Sequence, residues 1–219
     1  MNRNDIISMT EEFVRQKMAA YDSGHDWWHI ERVRRIAKFI NEQEAIADPF
    51  TLDIAVLLHD SADSKFAGND KSDGYALIED FMAKAGLNEL KDTVIEAIKN
   101  VSFSNKNPSG NLNDPVLLVL QDADRLDAIG AIGIARAFNY GGFRNNIIFD
   151  PEVEHRTPST ISHFYEKLLV LKYRMNTLTA KRLAAERHEF LEVFLKQFYK
   201  EWEFAAGMSN SILQNPDCF

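Results

Sequence analysis

The sequence predicts an all-helical fold in a single compact domain, and three observations carry the prediction. Apolar residues recur at helical spacing along nearly the whole chain, strand patterns are scarce, and helix-opening signals precede the apolar runs. At 219 residues the chain fits one domain and buries roughly 70% of the surface it would expose unfolded.

The elements follow in order. The N-terminus, MNRNDIISMTEEF, reads as the start of an amphipathic helix and not as a signal peptide, because no apolar run follows its basic residue. Ile30, Val33, Ile36, Ala37 and Ile40 line one face of the next helix. Asp48 then caps a helix that Pro49 opens, continuing through Leu52, Ala55, Val56 and Leu58. Further helices are expected over about 72–85, 89–100, 114–139, 159–176 and 178–206, with Gly86 and Gly141-Gly142 as stops and a break near Asp127–Gly130. Val116 to Leu120 has the composition of a buried strand, but its neighbours stay in helical register through Ala123 and Leu126, so helix is the reading. Residues 61–71 and 140–158 read as long connections, the kind that serve as functional lids or are simply mobile. No repeat or linker divides the chain.

Composition excludes several classes. Hydrophobic residues at 45% and charged residues at 26% are ordinary for a globular protein. The single cysteine, Cys218, provides neither a disulfide framework nor a thiolate metal site, which fits a reducing compartment, and a cytoplasmic location is expected. No stretch approaches the ~20 apolar residues of a membrane span. A net charge of -8 argues against a nucleic-acid partner but not against a small phosphorylated substrate, since a bound cation and a few basic side chains reverse the potential locally.

Three segments concentrate the chemistry. His29, in GHDWWHIERV, shares the stripe of Val33, Ile36 and Ile40 and points inward, where a neutral imidazole needs a hydrogen-bond partner or a metal. His59 and Asp60 end the apolar helix IAVLLHD. There one residue can unwind, so both side chains can reach a single ion. A histidine capping the helix C-terminus explains His59 equally well, but a carboxylate at that end opposes the helix dipole. In QDADRLDAIG, Asp122, Asp124 and Asp127 follow a strongly apolar run, so at least one must be buried and paired, with a metal or with a cation such as Arg125 or Arg136. Two imidazoles and two carboxylates on different helices suit one divalent ion, with manganese expected first and iron, cobalt, nickel, zinc or magnesium compatible. Such an ion acidifies water and polarises a phosphoryl oxygen.

The order of GHDWWHIERV, LLHDSADSKF and QDADRLDAIG resembles the HD superfamily of metal-dependent phosphohydrolases. It looks closest to the small stand-alone bacterial HD proteins (YpgQ-like), which carry a C-terminal stretch similar to STISHFYEKLLVLKYRMNT here. The resemblance spans about residues 20–206. It implies metal ligands at His29, His59, Asp60 and, through the ADR element, Asp124, with Asp122 and Asp127 in supporting or structural roles. HD enzymes that act on guanosine polyphosphates have Glu-Asp at the third and fourth positions past the pair; here those positions hold Asp63 and Ser64, followed by Lys65.

Asp63 is the candidate general acid or base, and Lys65 the candidate to neutralise phosphate charge. His163 and Lys167 lie four apart on one helix face, and with His25, Arg144 and Arg156 they are candidate substrate-binding residues. Trp27 and Trp28 are expected to pack, and His155 and His188 to have ordinary structural roles. The expected function is hydrolysis of a phosphoester or phosphoanhydride in a nucleotide, possible forms being cleavage of a nucleoside triphosphate to monophosphate and pyrophosphate or dephosphorylation of a monophosphate. A non-catalytic metal or nucleotide sensor is the alternative of another class. A homodimer is open, because the C-terminal helices can bury their faces within one subunit or between two.

Overall fold

The computed structural model describes residues 1–18, 26–62, 71–103, 105, 107–151 and 159–206. The described residues form the predicted all-α architecture: α1 (Arg3–Met18), α2 (Trp27–Glu44), α3 (Pro49–Leu58), α4 (Lys71–Lys84), α5 (Lys91–Val101), α6 (Pro115–Asp127) and α7 (Gly130–Phe143). A composite α8 runs over 160–174, and α9 (Leu178–Ala206) closes the order. Among the described residues the one β pairing is an isolated bridge between Ile147 and Ser159.

Local chemistry starts these helices where the sequence places them. The Asp26, Asp48 and Asp114 carboxylates accept the backbone N–H of His29, Thr51 and Val116, at 2.9, 2.9 and 2.8 Å, and Pro49 and Pro115 occupy the first turns that follow. Ser159 and Ser162 form a reciprocal capping box that opens α8.

The centre of the molecule is α3. Leu52, Ile54, Ala55, Val56, Leu57 and Leu58 are all buried, so this helix is enclosed over most of its surface, with Asp53 meeting Arg34 on its one charged side. It packs against α1, α2, α5 and α6, while α2 and α6 lie side by side. One buried apolar cluster extends from Ile6 in α1 to Leu195 in α9. This packing fixes the histidine-bearing start of α2, the end of α3 and the end of α6 against one another.

Some details differ from the sequence reading. Val116 to Leu120 is helical, and the expected break after Asp127 is present, with Gly130 at φ 76° restarting the chain as α7. Gly141-Gly142 does not stop α7, which continues to Phe143. Gly141 is there for contact: a Cβ would clash with Thr160 Oγ1, so only glycine lets the start of α8 approach so closely. The expected helix over 159–176 changes pitch, with a π turn at Phe164–Leu168 and a 3-10 turn at Lys172–Arg174. Trp27 packs as expected, with the Arg15 guanidinium 3.6 Å from its ring centroid, but Trp28 is 62% exposed because it faces away from the His29 stripe.

Candidate metal centre

Four of the predicted residues come together. The ligand atoms of His29, His59 and Asp124 all lie within 4.8 Å of one another. Asp60 joins them, with Oδ2 3.4 Å from His29 Nε2 and Oδ1 3.5 Å from His59 Nε2. Asp124 Oδ1 is 3.5 Å from His29 Nε2 and 4.0 Å from His59 Nε2.

Each side chain is placed by its element. His59 is the C-cap of α3, still in helical conformation, and Asp60 lies in the turn that follows. The helix end therefore lets two consecutive residues face one point. The His59 Nδ1–H donates to the Val56 carbonyl at 2.7 Å, and a carbonyl can only accept. In the neutral ring the lone pair is thus on Nε2, which is buried without a hydrogen-bond partner and faces the carboxylates.

His29 is oriented by a carboxylate instead. Its Nδ1–H donates to Asp127 Oδ2 at 2.8 Å. Arg32 and Arg136 also donate to Asp127, at 2.7 Å each. Burial pushes the Asp127 carboxyl up, but the hydrogen bonds from His29 and Arg32 and the charge of Arg136 outweigh it and hold the group well below the usual carboxylate range. Burial likewise lowers the His29 pKa, so the ring is neutral at pH 7 with its proton on Nδ1 and its lone pair on Nε2.

The set fits a divalent cation. The Nε2 atoms of two imidazoles whose Nδ1 atoms are already engaged converge with two carboxylates, a set of donors that a cation between them would satisfy. Metal–ligand bonds of about 2.0–2.2 Å put neighbouring ligand atoms roughly 3 Å apart and opposite ones about 4.3 Å apart. The imidazole–carboxylate separations of 3.4 to 4.0 Å lie between those limits. The N/O donor set, without sulfur, suits manganese, iron, cobalt, nickel or zinc, with magnesium compatible. Asp124 is 30% exposed, so the cluster has an open side.

That side is flanked by α8. Burial lowers the Lys167 ammonium pKa, while Asp124 raises it and Arg136 lowers it again, which places Lys167 within electrostatic reach of both. His163, one turn earlier, is also lowered by burial and by the charge of Lys167. Lys167 thus lies within reach of the cluster, and His163 precedes it on the same helix. Lys167 belongs to the π turn, a departure from regular helix that recurs at functional sites.

Other candidates fall elsewhere. Arg144 is exposed just beyond α7, with its backbone N–H on the Tyr140 and Gly142 carbonyls, and it is not among the described residues gathered at the cluster. His188 has a structural partner, with Nε2 3.2 Å from Glu192. His25, Asp63, Lys65, His155 and Arg156 lie outside the described residues. Of the remaining aspartates of α6, Asp127 supports His29, whereas Asp122 accepts the backbone N–H groups of Asn176 and Thr177. The sequence reading missed Arg32. The signal available was its position three residues after His29, which puts both on one face of α2.

The chain is similar to known proteins along most of its length. Residues 27–129 match the HD domain model, a span containing all four converging residues. Bacillus subtilis YpgQ is 38% identical over 193 residues, covering 86% of this chain and 90% of YpgQ. A crystal structure of an HD-superfamily hydrolase from Bacillus thuringiensis superposes with TM-score 0.74 at 38% identity, covering 92% of this chain and 99% of that one. A crystal structure of YpgQ in complex with ADP superposes with TM-score 0.70 at 37% identity, covering 89% of this chain and 97% of that one.

Proposed function

The chain belongs to the HD superfamily of metal-dependent phosphohydrolases and is a hydrolase, and from that premise we propose that its substrate is a nucleotide. The specific reaction we propose is nucleoside triphosphate plus water to nucleoside monophosphate plus pyrophosphate, with manganese as the preferred ion. The observation that carries the reading is the convergence of two imidazole Nε2 atoms and two carboxylates beside a half-buried lysine. The ADP complex of YpgQ supports a nucleotide as the ligand class.

His29, His59, Asp60 and Asp124 would hold the ion, which when bound acidifies water and withdraws charge from a phosphoryl oxygen. The protein's own groups have three tasks. Asp127 and the Val56 carbonyl keep both imidazole protons on Nδ1, so both Nε2 atoms stay available as donors of a lone pair. Lys167, desolvated by its surroundings, offers a positive charge that a polyphosphate would satisfy better than Asp124 alone. His163 stands one turn away, in reach of the same phosphates. Asp63, three residues past Asp60, is proposed to exchange a proton with the attacking water or the leaving group, and Lys65 to offset charge on the polyphosphate.

The test is a screen of the purified protein against nucleoside tri-, di- and monophosphates with manganese, magnesium, cobalt, nickel and zinc, the products being separated. Release of pyrophosphate with formation of monophosphate is expected, strongest with manganese. Release of orthophosphate from monophosphates alone would replace this reading with a phosphatase. No release of either product under any condition would reject turnover of nucleotides.

A further inference from the structure

The Asp127 carboxylate receives more than a single supporting carboxylate needs. Its Oδ2 accepts His29 Nδ1–H at 2.8 Å, Arg136 Nη1–H at 2.7 Å and Arg32 Nη2–H at 3.1 Å, while Oδ1 accepts Arg32 Nε–H at 2.7 Å. The two arginines come from different helices. Arg32 lies one turn after His29 on α2, and Arg136 reaches back from α7 across the break that Gly130 permits. Arg136 also lies 3.4 Å from the Asp127 backbone carbonyl.

We infer that Arg32 and Arg136 are positioning residues for the ion, acting through Asp127 to hold His29 with Nε2 presented to the site. A free carboxylate rotates about its terminal bond and can accept from an imidazole over a range of ring orientations, so alone it holds the ring angle only loosely. Here the Arg32 fork engages both oxygens and fixes the carboxylate plane, and Arg136 pins Oδ2, the oxygen that His29 uses. The His29 proton is thereby committed to Nδ1, and the ring is aimed at Asp60 and Asp124. The inference rests on the divalent-ion reading of the site but not on the nature of the substrate.

The roles of the two arginines differ, and the difference is testable. Arg32 acts through two nitrogens, a geometry lysine does not reproduce, whereas Arg136 reaches Oδ2 through one nitrogen, as lysine could. The experiment is calorimetric titration of Mn2+ into the chelator-treated full-length protein, with nitrogen NMR of the His29 ring before metal is added. Arg32→Gln and Arg136→Gln should each weaken Mn2+ binding by about tenfold or more. Arg136→Lys should return affinity to within about threefold of wild type, and Arg32→Lys should not. The His29 ring should be entirely the Nδ1–H tautomer in the wild type and a mixture in Arg32→Gln. If both Gln variants bind Mn2+ within about twofold of wild type, or lower only the unfolding midpoint, the arginines are structural and the inference is overturned. A wild type that binds no divalent ion overturns it together with the site reading. One that binds Mn2+ but cleaves no nucleotide defeats the substrate proposal and leaves the clamp standing.

Discussion

Asp122 and Asp127 sit five residues apart on α6, both fully buried, and their surroundings treat them in opposite ways. Asp122 accepts the Asn176 and Thr177 backbone N–H groups at 2.7 and 2.8 Å and the Thr177 hydroxyl at 2.8 Å. These donors are neutral, so burial still prevails and the carboxyl is pushed up from its ordinary value. Asp127 meets two guanidinium groups and an imidazole, and it is held well below the usual range. The first carboxylate ties the end of α8 and the start of α9 to α6. The second orients His29, one of the four proposed metal ligands. Asp124, between them on the helix but partly open to solvent, is the aspartate proposed to meet an ion. Burial alone therefore does not mark a functional aspartate; the charge of its partners and the open side of the site do.

The contrast can be broken by substitution. The largest effect is expected for Asp60→Ala, which should remove the retained metal and cut turnover at least about a hundredfold with the fold intact. Elemental analysis beside an activity assay checks it, and normal activity would reject the ligand assignment. Asp122→Ala should do the reverse. It should lower stability by about 2–4 kcal/mol through loss of three hydrogen bonds, as read from denaturant unfolding, while binding Mn2+ like the wild type. Lys167→Met should raise KM for the triphosphate about tenfold without loss of metal, as expected for a group that meets the phosphates and not the ion.

A smaller effect concerns pH. His29 has a folded pKa below its unfolded value of 6.5, so its stabilising contribution is present above pH 6.5 and is lost as the pH falls. His163 and His188 act in the same direction. The metal-free protein should therefore lose stability between pH 7 and 5, measured as a falling Tm. Asp122, raised above its unfolded value, has the opposite sign, but its loss lies at lower starting pH, as stability declines from 3.8 upward through its folded value. A flat Tm from pH 7 to 5 would mean that His29 takes up its proton in the fold without cost.

Much of this was legible in the residues. The apolar stripe that turned His29 inward, the capping aspartates and the apolar helix ending in His59-Asp60 are local patterns, and local physics decides them. Three features were not. Gly141-Gly142 looks like a helix stop, but Gly141 is small because Thr160 lies against it, a contact between residues far apart in sequence. The π turn that carries Lys167 depends on one shifted hydrogen bond in the ladder, which composition does not encode. The division of labour among Asp122, Asp124 and Asp127 depends on which neighbours supply cations, and Arg32 and Arg136 arrive from two other helices.

The position of the ion decides the role of these four residues most directly. Diffraction from crystals soaked in Mn2+, recorded where manganese scatters anomalously, should show one strong peak per chain, bonded at about 2.0–2.3 Å to His29 Nε2, His59 Nε2, Asp60 and Asp124. The peak should be absent in Asp60→Ala and retained in Asp122→Ala. A peak elsewhere, or one that survives loss of Asp60, would contradict the assignment of these four residues as the metal centre.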